Sequence, residues 1–153
     1  MAHLDACGPV CVELHCTKPG EGMATERTAN ILVADDVPNW RVLIRSIVQR
    51  RPSWKIVCEV CDGLQAVEKA TELRPDVVLL DIGMPIMNGI EAAKRMRQSC
   101  PGSRIIFVTQ DNDEDIRMSA LATGAEAYVL KAQTHSELLP AIDAALGMAA
   151  HTS

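Results

Sequence analysis

The 153-residue chain has the size of one domain able to bury a substantial core. With 48% hydrophobic residues, few aromatics and a formal net charge of -5, it offers no general attraction for nucleic acid or an anionic membrane surface. No run reaches 18 apolar residues, and the opening segment lacks the basic start and apolar core of a signal peptide, so a cytoplasmic setting without membrane contact is expected.

Residues 1–28 show no sustained hydrophobic period and contain Gly8-Pro9 and Pro19-Gly20. They read as a disordered extension ahead of a domain over residues 29–148, with 149–153 as a short tail. Met23, just ahead of the first ordered pattern, leaves an internal translation start open. Cys7, Cys11, His15 and Cys16 match no compact zinc spacing and read as free thiols and an imidazole of that extension. Cys58 and Cys61 form a C-x-x-C pair, but Cys58 belongs to the run Ile56-Val57-Cys58 and reads as a core cysteine. Without a secretory signal, no disulfide scaffold is indicated.

The ordered pattern begins with Ile31 to Ala34, an apolar strand running straight into Asp35 and Asp36. From Pro38 to about Gln49, Trp40, Leu43, Ile44, Ile47 and Val48 recur at helical spacing, and Pro38 suits a first turn. Arg50-Arg51-Pro52 ends that helix, its two cations favoured by the helix dipole. Lys55 to Val60 is the second strand, and Leu64 to Leu73 the second helix. Val77 to Leu80 is wholly apolar, as a central strand buried on both faces should be, and it ends on Asp81. Gly89 to about Gln98 follows as a third helix.

Arg104 to Val108 is a fourth strand closing on Thr109, and Ile116 to Ala122 a weak helix after an acidic turn. Ala127 to Leu130 is the last strand, ending on Lys131. His135 to Leu146 forms the final helix, with Thr134 or Ser136 available as its cap. Strands alternating with helices in this way specify an α/β domain of (βα)5 type, doubly wound about a parallel sheet.

The polar residues give this frame its chemistry. In a parallel sheet, Asp35, Asp36, Asp81, Thr109 and Lys131 all open on the carboxyl edge of the strands, where such sheets bind ligands. Any one of these acids alone would read as a cap or a turn residue. Three carboxylates in one cleft repel each other, and Mg2+ relieves that repulsion because it takes oxygen ligands and bridges carboxylate to phosphate. A lysine neutralises further charge and a hydroxyl donates one hydrogen bond. That equipment suits phosphoryl transfer to a carboxylate.

The motif D-I-G-M-P-I-M-N-G after the central strand, with Asp35-Asp36, Thr109 and Lys131, resembles the receiver domain of bacterial two-component response regulators over about Asn30 to Gly147. The resemblance implies a flavodoxin-like five-stranded sheet of order 2-1-3-4-5. It implies Asp81 as phosphoacceptor and Mg2+ held by Asp35, Asp36, Asp81 and the backbone carbonyl of Gly83. It implies Thr109 and Lys131 as ligands of the phosphoryl group, and Thr109 with Tyr128 as the switch pair. The donor would be a sensor histidine kinase or histidine phosphotransfer protein, with self-catalysed transfer and later hydrolysis. V-L-K-A-Q-T-H-S-E-L-L is similar to the NarL/LuxR-type subfamily, which usually carries a helix-turn-helix output. None follows here, so the expected output is a downstream protein, homodimerisation or onward phosphotransfer.

Two departures stand out. Gln110 replaces the small residue usual after the threonine, and Ala132 replaces the proline common after the lysine. Gly83 and Asp111 occupy the variable positions that tune phosphoryl lifetime in the family. Gln110 also supports the alternative of a receiver-like interaction module that signals by binding without phosphorylation. A flavodoxin-like nucleotide binder is disfavoured, because no glycine-rich phosphate loop follows the first strand.

Overall fold

A computed structural model of the protein describes Gly8, residues 10–11 and residues 28–147. The elements in chain order are β1 (Val10–Cys11), β2 (Ala29–Ala34), α1 (Pro38–Val48), β3 (Trp54–Val60), α2 (Gly63–Leu73) and β4 (Val77–Leu80). They continue as α3 (Gly89–Ser99), β5 (Arg104–Thr109), α4 (Glu114–Leu121), β6 (Ala127–Leu130), a 3-10 turn (Lys131–Gln133) and α5 (Thr134–Ala145). The sheet order is β1-β3-β2-β4-β5-β6. Strands β2 to β6 are parallel and reproduce the expected 2-1-3-4-5 arrangement, with β1 added antiparallel at the β3 edge.

The continuous apolar runs arise because both faces of the sheet are covered. Leu32, Ala34, Val78, Leu80, Ile105 and Phe107 face one core with Ala66, Ala70, Ala92, Ala93 and Met96 of α2 and α3. Ile31, Val33, Val77, Leu79, Ile106 and Val108 face the other with Ile44 and Ile47 of α1 and Leu138 and Ile142 of α5. Each fully buried aliphatic side chain stabilises the fold by about 1.5–3 kcal/mol relative to leaving it exposed. Buried on both sides, the central strands are rigid mounts for whatever their carboxyl ends carry.

Side-chain caps fix where three helices start. Asp62 accepts from the Gln65 amide of α2, Asn88 from Glu91 of α3, and Asp113 from Asp115 and Ile116 of α4. The last cap starts α4 two residues before the periodic apolar pattern does. Neither Thr134 nor Ser136 caps α5: their hydroxyls donate to the carbonyls of Lys131 and Gln133. The 3-10 turn already leads the chain into that helix, so no accepting side chain is used there.

The N-terminal reading is corrected at one point. Within the segment expected to lack order, Val10 and Cys11 pair with Glu59 and Cys58, and Cys11 is disulfide-bonded to Cys58. Strand β3 lies at the edge of the parallel sheet, and antiparallel pairing there brings the two Cα atoms to 3.8 Å. Cys58 is buried as expected, but it is not a free thiol; Cys100 is the free cysteine among the described residues. Cys7, His15, Cys16, Met23 and the tail from residue 149 lie outside the described residues.

Candidate functional site

Four strands end at one place. Asp35 and Asp36 follow β2, Asp81 follows β4, Thr109 closes β5 and Lys131 follows β6. Because β2, β4, β5 and β6 are consecutive neighbours, residues up to 96 positions apart in sequence converge at the same edge. Backbone pairing continues past the strands, with the Asp35 amide donating to Val60 and the Asp81 amide to Ala34. The acids are therefore mounted on the ladder itself and not on free loops.

Lys131 organises the charges. Its Nζ lies 2.8 Å from Asp35 Oδ2 and donates to Asp81 Oδ2 at 3.1 Å, and its side chain is 4% exposed. The other carboxylate oxygens are held by the backbone: Asp35 Oδ1 accepts from the Val37 amide at 2.9 Å, and Asp81 Oδ1 from the Ile82 amide at 2.8 Å. Burial raises the Asp35 pKa above the ordinary carboxylate range. Lys131 and the Val37 amide oppose that rise, while the Asp81 charge adds to it.

Asp35, Asp36 and Asp81 each present an oxygen within 4.8 Å of the others. Asp35 and Asp81 are buried, and Asp36 is exposed. Asp35 Oδ2 meets the Lys131 charge but has no hydrogen-bond partner, an unusual state for a buried carboxylate oxygen. An all-oxygen, anionic donor set with one buried oxygen unsatisfied fits a hard divalent cation such as Mg2+. Gly83 is exposed beside them, and a Cβ built on it meets nothing within 4 Å.

Above the acids opens a cleft of about 570 Å3, lined by Asp36, Trp40, Asp81, Gly83, Thr109, Gln110, Asp111 and Lys131 among others. Two glycines allow the backbone behind Asp81 to pack closely. A Cβ on Gly89 would stand 2.0 Å from the Asp81 carbonyl oxygen, and one on Gly63 would stand 1.9 Å from that of Met87. The loop from Ile82 to Asn88 is thus folded tightly back on the end of β4, with Ile86 at φ +69 and well exposed. Met84 is buried and Met87 packs against the same core, so both support that loop.

Thr109 is buried, and its Oγ1 accepts from the Asp111 amide at 3.3 Å. Tyr128 donates its hydroxyl to the Asp111 carbonyl at 2.7 Å, and the Arg117 guanidinium lies 5.6 Å from the ring centroid. Burial raises the Tyr128 pKa, the Asp111 carboxylate adds to the rise, and Arg117 opposes it. The two expected switch residues are therefore joined through one backbone unit, that of Asp111. Gln110 is exposed at the cleft wall beside them.

One neighbour escaped the sequence reading. The Trp40 ring centroid lies 5.0 Å from Lys131 Nζ. The sequence places Trp40 in the first turn of α1, but its contact with Lys131 depends on where the last strand docks.

A family model described as the response regulator receiver domain matches residues 31–143. The chain is 35% identical over 120 residues to the nitrate/nitrite response regulator protein NarL of Escherichia coli K12, covering 78% of this chain but 56% of NarL. Among solved structures, the response regulator domain of Thermotoga maritima CheB matches with TM-score 0.74 and 36% identity, over 79% of this chain and 98% of that one. The signal receiver domain of the putative response regulator NarL from Mycobacterium tuberculosis matches with TM-score 0.75 and 31% identity, over 80% and 99% respectively. Among the described residues no helix is long and apolar enough to cross a membrane.

Proposed function

The chain belongs to the response regulator receiver domain family, and on that premise we propose that Asp81 accepts a phosphoryl group from the phosphohistidine of a sensor histidine kinase or phosphotransfer protein. The observation that carries this reading is the Lys131 ammonium bridging Asp35 and Asp81 at the carboxyl edge of the sheet.

Asp81 Oδ1 is tied to the Ile82 amide, so Oδ2 is the nucleophile. As Oδ2 forms its bond to phosphorus, the phosphorus–nitrogen bond breaks and the imidazole leaves with the electron pair. Lys131 starts on Oδ2 and follows the charge to a phosphoryl oxygen. The Thr109 hydroxyl donates to a second phosphoryl oxygen. Mg2+ held by Asp35, Asp36, Asp81 and the Gly83 carbonyl would supply the remaining charge neutralisation. Hydrolysis later reverses the product: water attacks phosphorus, the bond to Asp81 breaks and inorganic phosphate leaves. Exposed Gly83 leaves that water a path.

Phosphorylation adds roughly -1.5 to -2 charge at neutral pH. Thr109 drawn toward that charge pulls on the Asp111 amide, and through the Asp111 carbonyl on Tyr128. The surface of α4, β6 and α5 then carries the signal to a downstream protein, a second copy of the chain or a further phosphotransfer partner.

Intact mass with acetyl phosphate, with and without Mg2+, tests the reading beside Asp81→Asn. A Mg2+-dependent gain of one phosphoryl group that vanishes in the variant is expected, and an equal gain in the variant would sink the assignment. Gln110 at the cleft wall favours one rival, a module that signals by binding alone. That rival is supported if Mg2+ binds and no phosphoryl group is gained.

A further inference from the structure

Lys131 is a buried ammonium whose partners leave part of it unmet. It has three N–H donors and two carboxylate partners, Asp81 Oδ2 at 3.1 Å and Asp35 Oδ2 at 2.8 Å. The remaining direction is covered by the Trp40 indole, 5.0 Å from Nζ to ring centroid, which is the geometry of a cation–π contact. Trp40 itself is well anchored. Its amide donates to the Val37 carbonyl in the first turn of α1, and the same helix is pinned into the core by Ile44, Ile47 and Val48.

We propose that Trp40 is a positioning residue: its indole face holds the Lys131 ammonium over Asp81 and shields it from water before the phosphoryl group arrives. The inference rests on the phosphoacceptor reading. A lysine head on a four-carbon stem has many rotamers, and those that point along the open cleft draw the cation away from the reacting oxygens. A ring on its open side removes those rotamers. It also lowers the local dielectric, so the attraction of Lys131 for developing phosphoryl charge is stronger. Indole is the best of the aromatic faces for this task, and the ring, not merely apolar bulk, is what the role requires.

The test compares Trp40→Phe, which keeps a π face, with Trp40→Leu, which keeps apolar bulk alone, and with Trp40→Met should the leucine variant fail to fold. Two readouts are taken: the rate of Mg2+-dependent labelling by acetyl phosphate, and the NMR shift of the Lys131 Hε protons, which the ring current displaces upfield. The phenylalanine variant is expected to label within about twofold of the parent and to keep a reduced upfield shift. The leucine variant is expected to label about fivefold more slowly and to lose the shift, a loss in the range of one cation–π contact. A leucine variant that labels at the parental rate, or a Lys131 resonance unmoved by losing the ring, overturns the role of Trp40 alone. A parent protein that takes no label overturns the phosphoacceptor reading instead, and with it any positioning for transfer, even where the ring-current shift is intact.

Discussion

Tyr128 donates its phenolic hydrogen to the Asp111 carbonyl oxygen across 2.7 Å, and the amide of the same residue donates to Thr109 Oγ1. One peptide segment thus links the hydroxyl at the cleft to an aromatic ring on β6. The pairing gives the loop after β5 a defined resting position.

Tyr128→Phe removes the donor and leaves the Asp111 carbonyl to find another partner. The bond is part-buried and neutral, so a loss of about 1 kcal/mol in unfolding free energy is expected. Hydrogen exchange should localise the effect, with the amides of Asp111 and Asp113 exchanging faster and those of β4 unchanged. Uniform exchange across both regions would show that the tyrosine does not hold this loop.

Asp35→Asn bears on the buried carboxylate. Because burial raises the folded pKa of Asp35, the folded state binds its proton more readily than the unfolded state does. The stability linked to that group is therefore fully present below the unfolded value of about 3.8 and is lost as pH rises through the raised folded value. Without Mg2+, the asparagine variant should gain on the parent as pH rises toward neutrality, and the difference should narrow as pH falls toward 4. Urea unfolding of both proteins across that range measures it. A difference independent of pH would mean that the Asp35 proton is not linked to folding.

Much of the frame was legible because strands buried on both faces lose their alternation and show as apolar runs. Asp35, Asp81, Thr109 and Lys131 could be recognised because each immediately follows or closes such a run. Strand β1 was not legible, since two residues cannot display a period. The Cys11–Cys58 bond depends on which strand lies at the sheet edge, which no cysteine spacing encodes. Arg51 reads as a helix-end cation, but it binds Asp143 through two hydrogen bonds of 2.8 Å and stacks on Trp54 at 5.0 Å. Such a pair follows only from the docking of α1 beside α5. The same holds for Trp40 and Lys131, which come together only once the last strand lies beside β5.

Gly89→Ala tests the close packing of the loop after β4 against Asp81. The added Cβ meets the Asp81 carbonyl oxygen at 2.0 Å, and backbone on both sides must shift to relieve it. A destabilisation of about 1–3 kcal/mol is expected, with phosphoryl labelling reduced because the displaced backbone carries the acceptor. Gly83→Ala, where the same methyl group meets nothing within 4 Å, is the control and should unfold at nearly the parental urea concentration. Equal stability of the two variants would show that the loop yields freely.

Lys131→Met separates the two cations that compete for the same acids. Without Mg2+, removing the ammonium leaves Asp35 and Asp81 facing each other with nothing between their Oδ2 atoms, so the variant should melt below the parent. Adding Mg2+ supplies the missing charge, and a ligand at free concentration L that binds only the folded state stabilises it by RT ln(1 + L/Kd), so more where it binds more tightly. The melting temperature of the variant should therefore rise more with Mg2+ than that of the parent, narrowing the gap between them. Phosphoryl labelling should fall even at saturating Mg2+, because the metal replaces the resting charge of Lys131 but not its contact with the incoming phosphoryl oxygen. Equal Mg2+ shifts in the two proteins would mean that the lysine and the metal do not share these carboxylates.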